Sequence, residues 1–493
     1  MSFWTPDNVI AATKGKWLSA PARGGFVPAI SGLCTDSRSL KPGHAFLALK
    51  GDKFDGHSFV NAAADGGAPL IILSDAASFG GTGGARTGPA VLQVSDTLRA
   101  LQDLAAAYRR SMPGLRVVGV TGSNGKTTTT RIIDAVLGVK FRGTRSIKSF
   151  NNHIGVPLTL LSVKPGDEYV VCEMGMNHPG EIAPLTAMAQ PDAAVITSVG
   201  RAHIEHMGSI EAIAAEKASI FAGLRARGLA VAPADGEAPS LGPHLRGLER
   251  LVTVGASAGA GLRVAKLAHA SGPEGDHLTF TLGDGASFTV PLIGEHNAFN
   301  AAAAVAVGRH FGLSDAEIAR GLKAAQPPEM RLARETIRGI DLLNDAYNAS
   351  PESMLAAFKT FAAVFPPGGR RRVLVLGDML ELGPASAAAH EEVGRAAAKL
   401  CRPDLLICVG AAAPGYAAGA GKGGGVHTFP AITSGQDADG IAALLAEGDA
   451  VLLKGSRRMG LERVVESLRG ASAPAGSLTP TSGLEAISSR AVR

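Results

Sequence analysis

The stretch Arg-Val-Val-Gly-Val-Thr-Gly-Ser-Asn-Gly-Lys-Thr-Thr-Thr-Thr-Arg-Ile-Ile, residues 116–133, constrains this chain more than any other. An apolar strand runs into a loop of small residues and then into a helix start. Gly122 and Gly125 let the backbone turn tightly, so N–H groups of Ser123, Asn124 and their neighbours can point inward at an anion. The helix from Lys126 onward aims its positive dipole end at the same spot. Lys126 can reach the outer phosphates of a nucleotide, and the hydroxyl of Thr127 or Thr128 can hold Mg²⁺. The spacing is a short Gly-x-x-Gly-Lys-Thr-Thr form: the general phosphate-loop pattern has a glycine where Val120 stands. An ordinary glycine-rich turn is the alternative. The strand before, the helix after and the Lys-Thr-Thr between them favour phosphate binding.

A chain of 493 residues has room for about three domains. Its 46% hydrophobic residues can fill large cores, and with only 5% aromatic residues those cores are mostly aliphatic. The formal charge of +5 is a mild excess without a long basic run, which suits small anionic substrates and disfavours nucleic acid. Cys34, Cys172, Cys401 and Cys408 lie far apart and form no Cys-x-x-Cys pair, the usage of a reduced, cytoplasmic protein. The N-terminus carries Asp7 and lacks the apolar run of a signal peptide. No stretch is long and apolar enough to insert in a membrane; Ala298–Val307 comes nearest and reads as a buried helix.

Turn and linker residues divide the chain into units at 1–112, 113–325 and 326–470, followed by a Ser-, Ala- and Pro-rich tail, 471–493, with the composition of a mobile segment. In the first unit, apolar strands alternate with turns, Ser95 or Asp96 can cap a helix over 98–110, and the glycine-rich run 80–88 reads as a surface loop. Asp36-Ser37-Arg38 lies between two strands there. It could grip a phosphate or a uracil edge, or be a capped turn with solvated charges.

Strands and helices alternate in the second unit, which implies a parallel sheet with helices on both faces and the glycine loop at its carboxyl end. The strand ending in Glu173 places a carboxylate where it can ligate Mg²⁺ beside phosphates. His203 falls just past another strand end, near the same ligand. His203 and His206 have no cysteine or third histidine nearby, which argues against a dedicated zinc site. Lys217 shares the apolar stripe of a helix over 209–224. Its stem could snorkel out to solvent, or it could face the nucleotide site as a chemically altered residue. His296, Asn297 and Asn300 open a small-residue helix, as caps or as a hold on a base or ribose. The third unit repeats strands over 372–377, 405–409 and 450–454 with helices between, a second parallel sheet, and Lys454-Gly455-Ser456-Arg457 at the last strand's carboxyl end is an anion-binding candidate.

Taken together, these motifs resemble the Mur ligase family of peptidoglycan synthesis. The resemblance covers residues 25–470 and is carried by Asp36–Arg38 with Asp55–His57, Gly122–Thr128, Asn151–Pro157, Glu173–Ile182 and Gly294–Asn300. Asp345–Pro351 and Leu376–Gly383 are typical of the member that adds D-Ala-D-Ala, with Ser350 standing where the family often has Asn. The Asp-Asn-Pro-Arg motif of the diaminopimelate-adding member is absent from the chain. The resemblance implies a three-domain α/β fold: a small substrate-binding domain, a central phosphate-loop ATPase domain and a C-terminal Rossmann-like domain. It implies a monomer that uses ATP and Mg²⁺ to join D-Ala-D-Ala to the terminal carboxylate of UDP-MurNAc-tripeptide through an acyl phosphate. In that scheme Lys126 contacts phosphates; Thr127 or Thr128, Glu173 and His203 serve the metal sites; and Lys217 matches a lysine that relatives carbamylate. Asn297 and Asn300 approach the adenosine, Arg331 and Asp345 reach phosphate and ribose, and Tyr347 reaches the base. Ser37 and Arg38 hold the uridine-diphosphate end, and Ser456 is a candidate for the incoming carboxylate. Folylpolyglutamate synthetase, which has a different first domain, and a partition-type ATPase, which makes no bond, are the rival readings.

Overall fold

A computed structural model describes residues 3–470 apart from 22–24, 52–53, 81–87, 148, 237, 273–274 and 422–424. The 471–493 tail and most of the 80–88 run therefore lie outside the described residues. Three large sheets account for the architecture. The first holds five strands. Four of them, Gly32–Cys34, His44–Leu47, Leu70–Leu73 and Ala90–Gln93, pair in parallel, and Lys16–Ser19 runs antiparallel at one edge.

The central sheet has nine strands. Arg116–Thr121 lies between Tyr169–Glu173 and Ala193–Ile196, parallel to both. Each of these strands is buried on both faces, as parallel strands under helices must be. Val117, Val170 and Cys172 enter one core while Val118, Val120 and Val171 enter the other, following the two-residue repeat of a strand. The sequence predicts a purely parallel sheet here, and the structure corrects that. Leu262–Gly272 joins one edge in parallel, and Gly275–Leu282 and Ser287–Val290 then extend it through antiparallel pairings. The connection at Asp284-Gly285, with Gly285 at φ +90°, is too short for a crossover helix and can only reverse the chain.

The third sheet carries five parallel strands in the order Ile340–Asp345, Ala450–Lys454, Arg372–Gly377, Leu405–Val409, Gly425–Phe429. Ala333–Ile337 adds an antiparallel edge through the tight turn at Arg338-Gly339. Two apolar cores cover its faces.

The first sheet does not stand alone. The Thr97–Arg110 helix, capped by the Asp96 carboxylate, packs against the Gly155–Leu161 and Ile182–Ala189 helices of the central unit. A single core runs through both units. Tyr108 donates to the Val163 carbonyl at 2.6 Å, and the buried Arg109 donates to the carbonyls of Ala189 and Gln190. The four cysteines are buried and unbridged, and no helix among the described residues is long and apolar enough to cross a membrane.

A candidate active site between two parallel sheets

A cavity of about 500 Å³ lies where carboxyl-end residues of the central and third sheets meet. Ligands bind at this end of parallel sheets because loops and helix N-termini converge there. Gly122 adopts φ +148°, and a Cβ on it would stand 1.9 Å from the Thr197 hydroxyl oxygen. Gly125 adopts φ +83° at the N-cap of the Lys126–Leu137 helix, where a Cβ would come within 2.8 Å of Asn300 Oδ1. Only glycine fits either position. The loop is held from outside: Ser123 N–H donates to the Ser198 carbonyl and Asn124 N–H to the Ser198 hydroxyl. The first bond back from the helix runs from Thr129 N–H to the Gly125 carbonyl. Among the described residues, the amides of Gly125 through Thr128 are left without carbonyl partners, which is the donor set of an anion cradle.

Lys126 is half-buried, and its Nζ donates to the Gly122 carbonyl at 2.7 Å. Burial pulls its ammonium below the ordinary lysine range, with Glu173 opposing and Arg331 adding to the fall. Glu173 is 1% exposed at the end of its strand. Its Oε1 accepts from Asn151 at 2.9 Å, while its buried Oε2 has no partner among the described residues. A buried carboxylate oxygen without a donor suits a hard cation, so the chemistry of the site fits Mg²⁺. Thr128 lines the cavity, whereas the Thr127 hydroxyl receives Arg331 Nη2 at 3.2 Å.

Lys217 is 1% exposed and lies at the end of the Ile210–Ala218 helix. The helix expected over 209–224 stops there and continues as a 3₁₀ turn, 219–223. Its stem does not snorkel to solvent, and its amine has no hydrogen-bond partner among the described residues. Burial, then the charge of Lys126, pushes its ammonium well below the usual range, with Glu216 opposing. Glu216 is itself occupied, accepting from the amides of Gly180 and Ile182 at 2.7 Å each.

The third domain supplies the facing wall. Arg331 stacks on Tyr347 with its guanidinium 4.2 Å from the ring centroid, and the Tyr347 hydroxyl donates to Ser149 at 2.7 Å. Asp345 and Lys454, paired across neighbouring parallel strands, form a 2.7 Å ion pair. Asn297 and Asn300, buried in the first turns of the His296–His310 helix, line the same cavity and are linked at 2.9 Å. Ser350 caps the Pro351–Val364 helix and reaches Asn124 Oδ1 at 3.2 Å.

A second cavity of about 120 Å³ adjoins the first, lined by His203, Glu381, Ser456, Arg457 and Arg458 among others. Ser456 accepts from Leu380 N–H at 3.0 Å. Of the other candidates, Gly122, Thr127, Glu173 and Lys217 are not among the lining residues of either cavity, and Ser37 and Arg38 stand apart altogether. They lie in the first domain and line neither cavity, and the largely exposed Arg38 guanidinium pairs with Asp36 through bonds of 2.9 and 2.8 Å.

Sequence reasoning missed the groups that join the domains. Arg201, just after Gly200, donates to Glu352 at 2.8 Å and to Glu392 at 2.9 Å, both in the third domain. Glu381 meets His203 at 2.5 Å. Lys454 was visible as an anion-binding candidate, and the structure gives it to Asp345 instead. Only its place at an apolar strand's end hinted at a buried, paired lysine.

Comparison with known proteins agrees with this geometry. Residues 29–109 match the family model described as Mur ligase family, catalytic domain. Residues 120–308 match the Mur ligase middle domain, and 330–457 match the Mur ligase glutamate ligase domain. The UDP-N-acetylmuramoyl-tripeptide–D-alanyl-D-alanine ligase of Bacillus subtilis is 38% identical over 441 residues, covering 89% of this chain and 93% of that protein. The enzyme of the same name from Escherichia coli is 34% identical, covering 89% and 94%. MurF from Acinetobacter baumannii superposes with a TM-score of 0.81 at 29% identity, covering 95% of this chain and 99% of that one. The MurF ligase of Thermotoga maritima in complex with ADP superposes at 0.73 and 28% identity, covering 89% and 97%. A Mycobacterium tuberculosis folylpolyglutamate synthase shares the fold alone, at 20% identity and a TM-score of 0.56.

Proposed function

The chain belongs to the Mur ligase family, and we propose that it is the ATP-dependent ligase that joins D-Ala-D-Ala to UDP-MurNAc-tripeptide, forming the UDP-MurNAc-pentapeptide precursor of peptidoglycan. The observation that carries the reading is the pairing of an amide cradle at Gly122–Thr128 with a third-domain wall of Arg331, Asp345 and Tyr347 around one cavity. Residues 1–112 then serve as the UDP-MurNAc-peptide-binding domain, 113–325 as the ATP-binding domain and 326–470 as the ligase domain. Action as a cytoplasmic monomer is part of this reading, and sedimentation at working concentration checks the monomer.

The chemistry starts from a carboxylate, a poor acyl donor. The tripeptide's carboxylate oxygen attacks the γ-phosphorus of ATP, the bond to the β-phosphate oxygen breaks, and ADP leaves. The amine of D-Ala-D-Ala adds to the carbonyl carbon of the acyl phosphate, the tetrahedral intermediate sheds inorganic phosphate, and the nitrogen gives up a proton. The cradle amides and Lys126 stabilise the charge spread over the transferring phosphoryl group. Glu173, His203, Lys217 as its carbamate, and the hydroxyl of Thr127 or Thr128 are the groups that would hold Mg²⁺. When bound, that ion would supply positive charge to offset that of the phosphates. Asn297 and Asn300 orient the adenosine, with Tyr347 at the base and Arg331 and Asp345 at phosphate and ribose. Ser37 and Arg38 hold the uridine diphosphate, and Ser456 meets the incoming carboxylate. The third domain, docked over the cradle, keeps water from the acyl phosphate.

The test is substrate dependence. Phosphate release from ATP is expected only when UDP-MurNAc-tripeptide and D-Ala-D-Ala are both present; release that ignores either one rejects the ligase.

Docking of the third domain gives a second prediction. The Arg201 pairs are part-exposed, so their worth is about 1 kcal/mol. Arg201→Ala is expected to raise the KM for ATP roughly fivefold with the fold intact. It should also flatten the rise of KM with salt, since screening acts on the pairs removed. Steady-state kinetics at two ionic strengths reads both effects.

A further inference from the structure

Leu376–Gly383 stands out in the sequence, yet the chemistry above gives it no task. In the structure it brings Glu381 onto His203. Glu381 Oε2 lies 2.5 Å from His203 Nδ1. An ionised carboxylate only accepts hydrogen bonds, so the ring proton belongs on Nδ1. Nε2 makes no hydrogen bond among the described residues, and His203 lies close enough to Lys126 and Lys217 to feel both charges.

The approach of the two groups is built into the backbone. His203 has φ +65° and Glu381 φ +62°, a region that non-glycine residues enter only at an energetic cost. Such strain persists only where the surroundings over-determine it. Here they do: Glu205 N–H donates to the Glu381 carbonyl at 3.3 Å, and Ile204 packs against the cores of both the central and the third domain. Gly383 sits so close that a Cβ would stand 3.1 Å from Glu205 Cγ. A chance surface pair would need none of this.

We propose that Glu381 is a positioning residue for His203: the third domain delivers its carboxylate, which holds the proton on Nδ1 and leaves Nε2 as the ring nitrogen free to ligate a divalent cation. The inference rests on the reading of His203 as a metal ligand. It makes docking of the third domain part of building the cation site, so that the site is complete only when the ligase domain is in place.

The experiment is Mn²⁺ titration of the full chain with a non-hydrolysable ATP analogue, followed by electron paramagnetic resonance. Glu381→Gln is expected to weaken Mn²⁺ binding roughly 10–100-fold, the usual cost of losing a partner that orients a metal-bound histidine. Glu381→Asp should recover part of the loss. His203→Ala should also weaken binding and abolish the histidine nitrogen coupling to Mn²⁺. The double variant should bind no more weakly than His203→Ala, because Glu381 acts through that ring. Metal-free ADP affinity should be unchanged by Glu381→Gln; an equal loss there would mean that the pair only latches the domains, and would overturn the proposal. Additive losses in the double variant would overturn it too. Wild-type Mn²⁺ affinity in Glu381→Gln beside a loss in His203→Ala would sink the proposal and leave His203 as a ligand. Unchanged affinity in His203→Ala would remove both.

Discussion

Lys217→Ala is expected to lower ligation on the order of 10³-fold, with formate or acetate restoring part of the rate. The side chain is 1% exposed and without a hydrogen-bond partner among the described residues, and Lys126 is near enough to repel it. A charged ammonium there would cost several kcal/mol, opposed only by Glu216, whose carboxylate is already bonded to two amides. The neutral amine instead suits addition to CO₂: a nitrogen–carbon bond forms, one proton leaves, and a cation position becomes a carboxylate. That change would reverse the sign of the interaction with Lys126 and supply oxygens suited to a divalent cation. Alanine removes the carboxylate and leaves a space that a small acid can enter, so rescue distinguishes a missing ligand from a damaged fold. Initial rates against acetate concentration measure the rescue, and a thermal midpoint close to wild type checks the fold. Full activity in the variant would take Lys217 out of the mechanism.

What could be read before folding depended on how local the signal was. The cradle was legible because its parts are contiguous: the glycines, Lys126 and the threonines occupy one strand-to-helix turn, and main-chain geometry alone explains them. Glu173 was legible through its strand, whose apolar run ends in one acid. Lys217 was half legible. Its place on an apolar stripe was visible, but whether the stem snorkels depends on what covers it, which the tertiary packing decides. Arg201, Glu352, Glu392 and Glu381 were not legible, because a charge on a loop or helix looks solvated until its partner, more than a hundred residues away, is docked. The antiparallel edge over 262–290 was missed for a different reason. A β-rich segment after alternating strands and helices invites continuation of the pattern, and the short turn over 283–286 argues otherwise. Ser37 and Arg38 show the converse: the motif is plain, but its surroundings in the structure are Asp36 and solvent, and its use waits on a ligand that bridges two domains.

Lys126→Met is expected to reduce turnover on the order of 10²- to 10³-fold while leaving the stability of the chain within about 1 kcal/mol of wild type. Methionine keeps the apolar stem, so the packing beneath the loop survives; only the charge goes. In the structure Nζ bonds the carbonyls of the loop it serves, at 2.7 Å to Gly122 and 3.4 Å to Ser123. Those bonds hold the ammonium over the cradle. The charge matters most when negative charge spreads over the transferring phosphoryl group, so kcat should fall more than KM for ATP rises. The amides of Gly125–Thr128 remain and still bind the ground-state nucleotide. A variant that lost ADP affinity and turnover by the same factor would assign Lys126 to binding alone, and one that kept full turnover would show that the loop does not act on phosphoryl transfer through this residue. The comparison of kcat with KM therefore separates a cradle that holds the nucleotide from one that also drives its reaction.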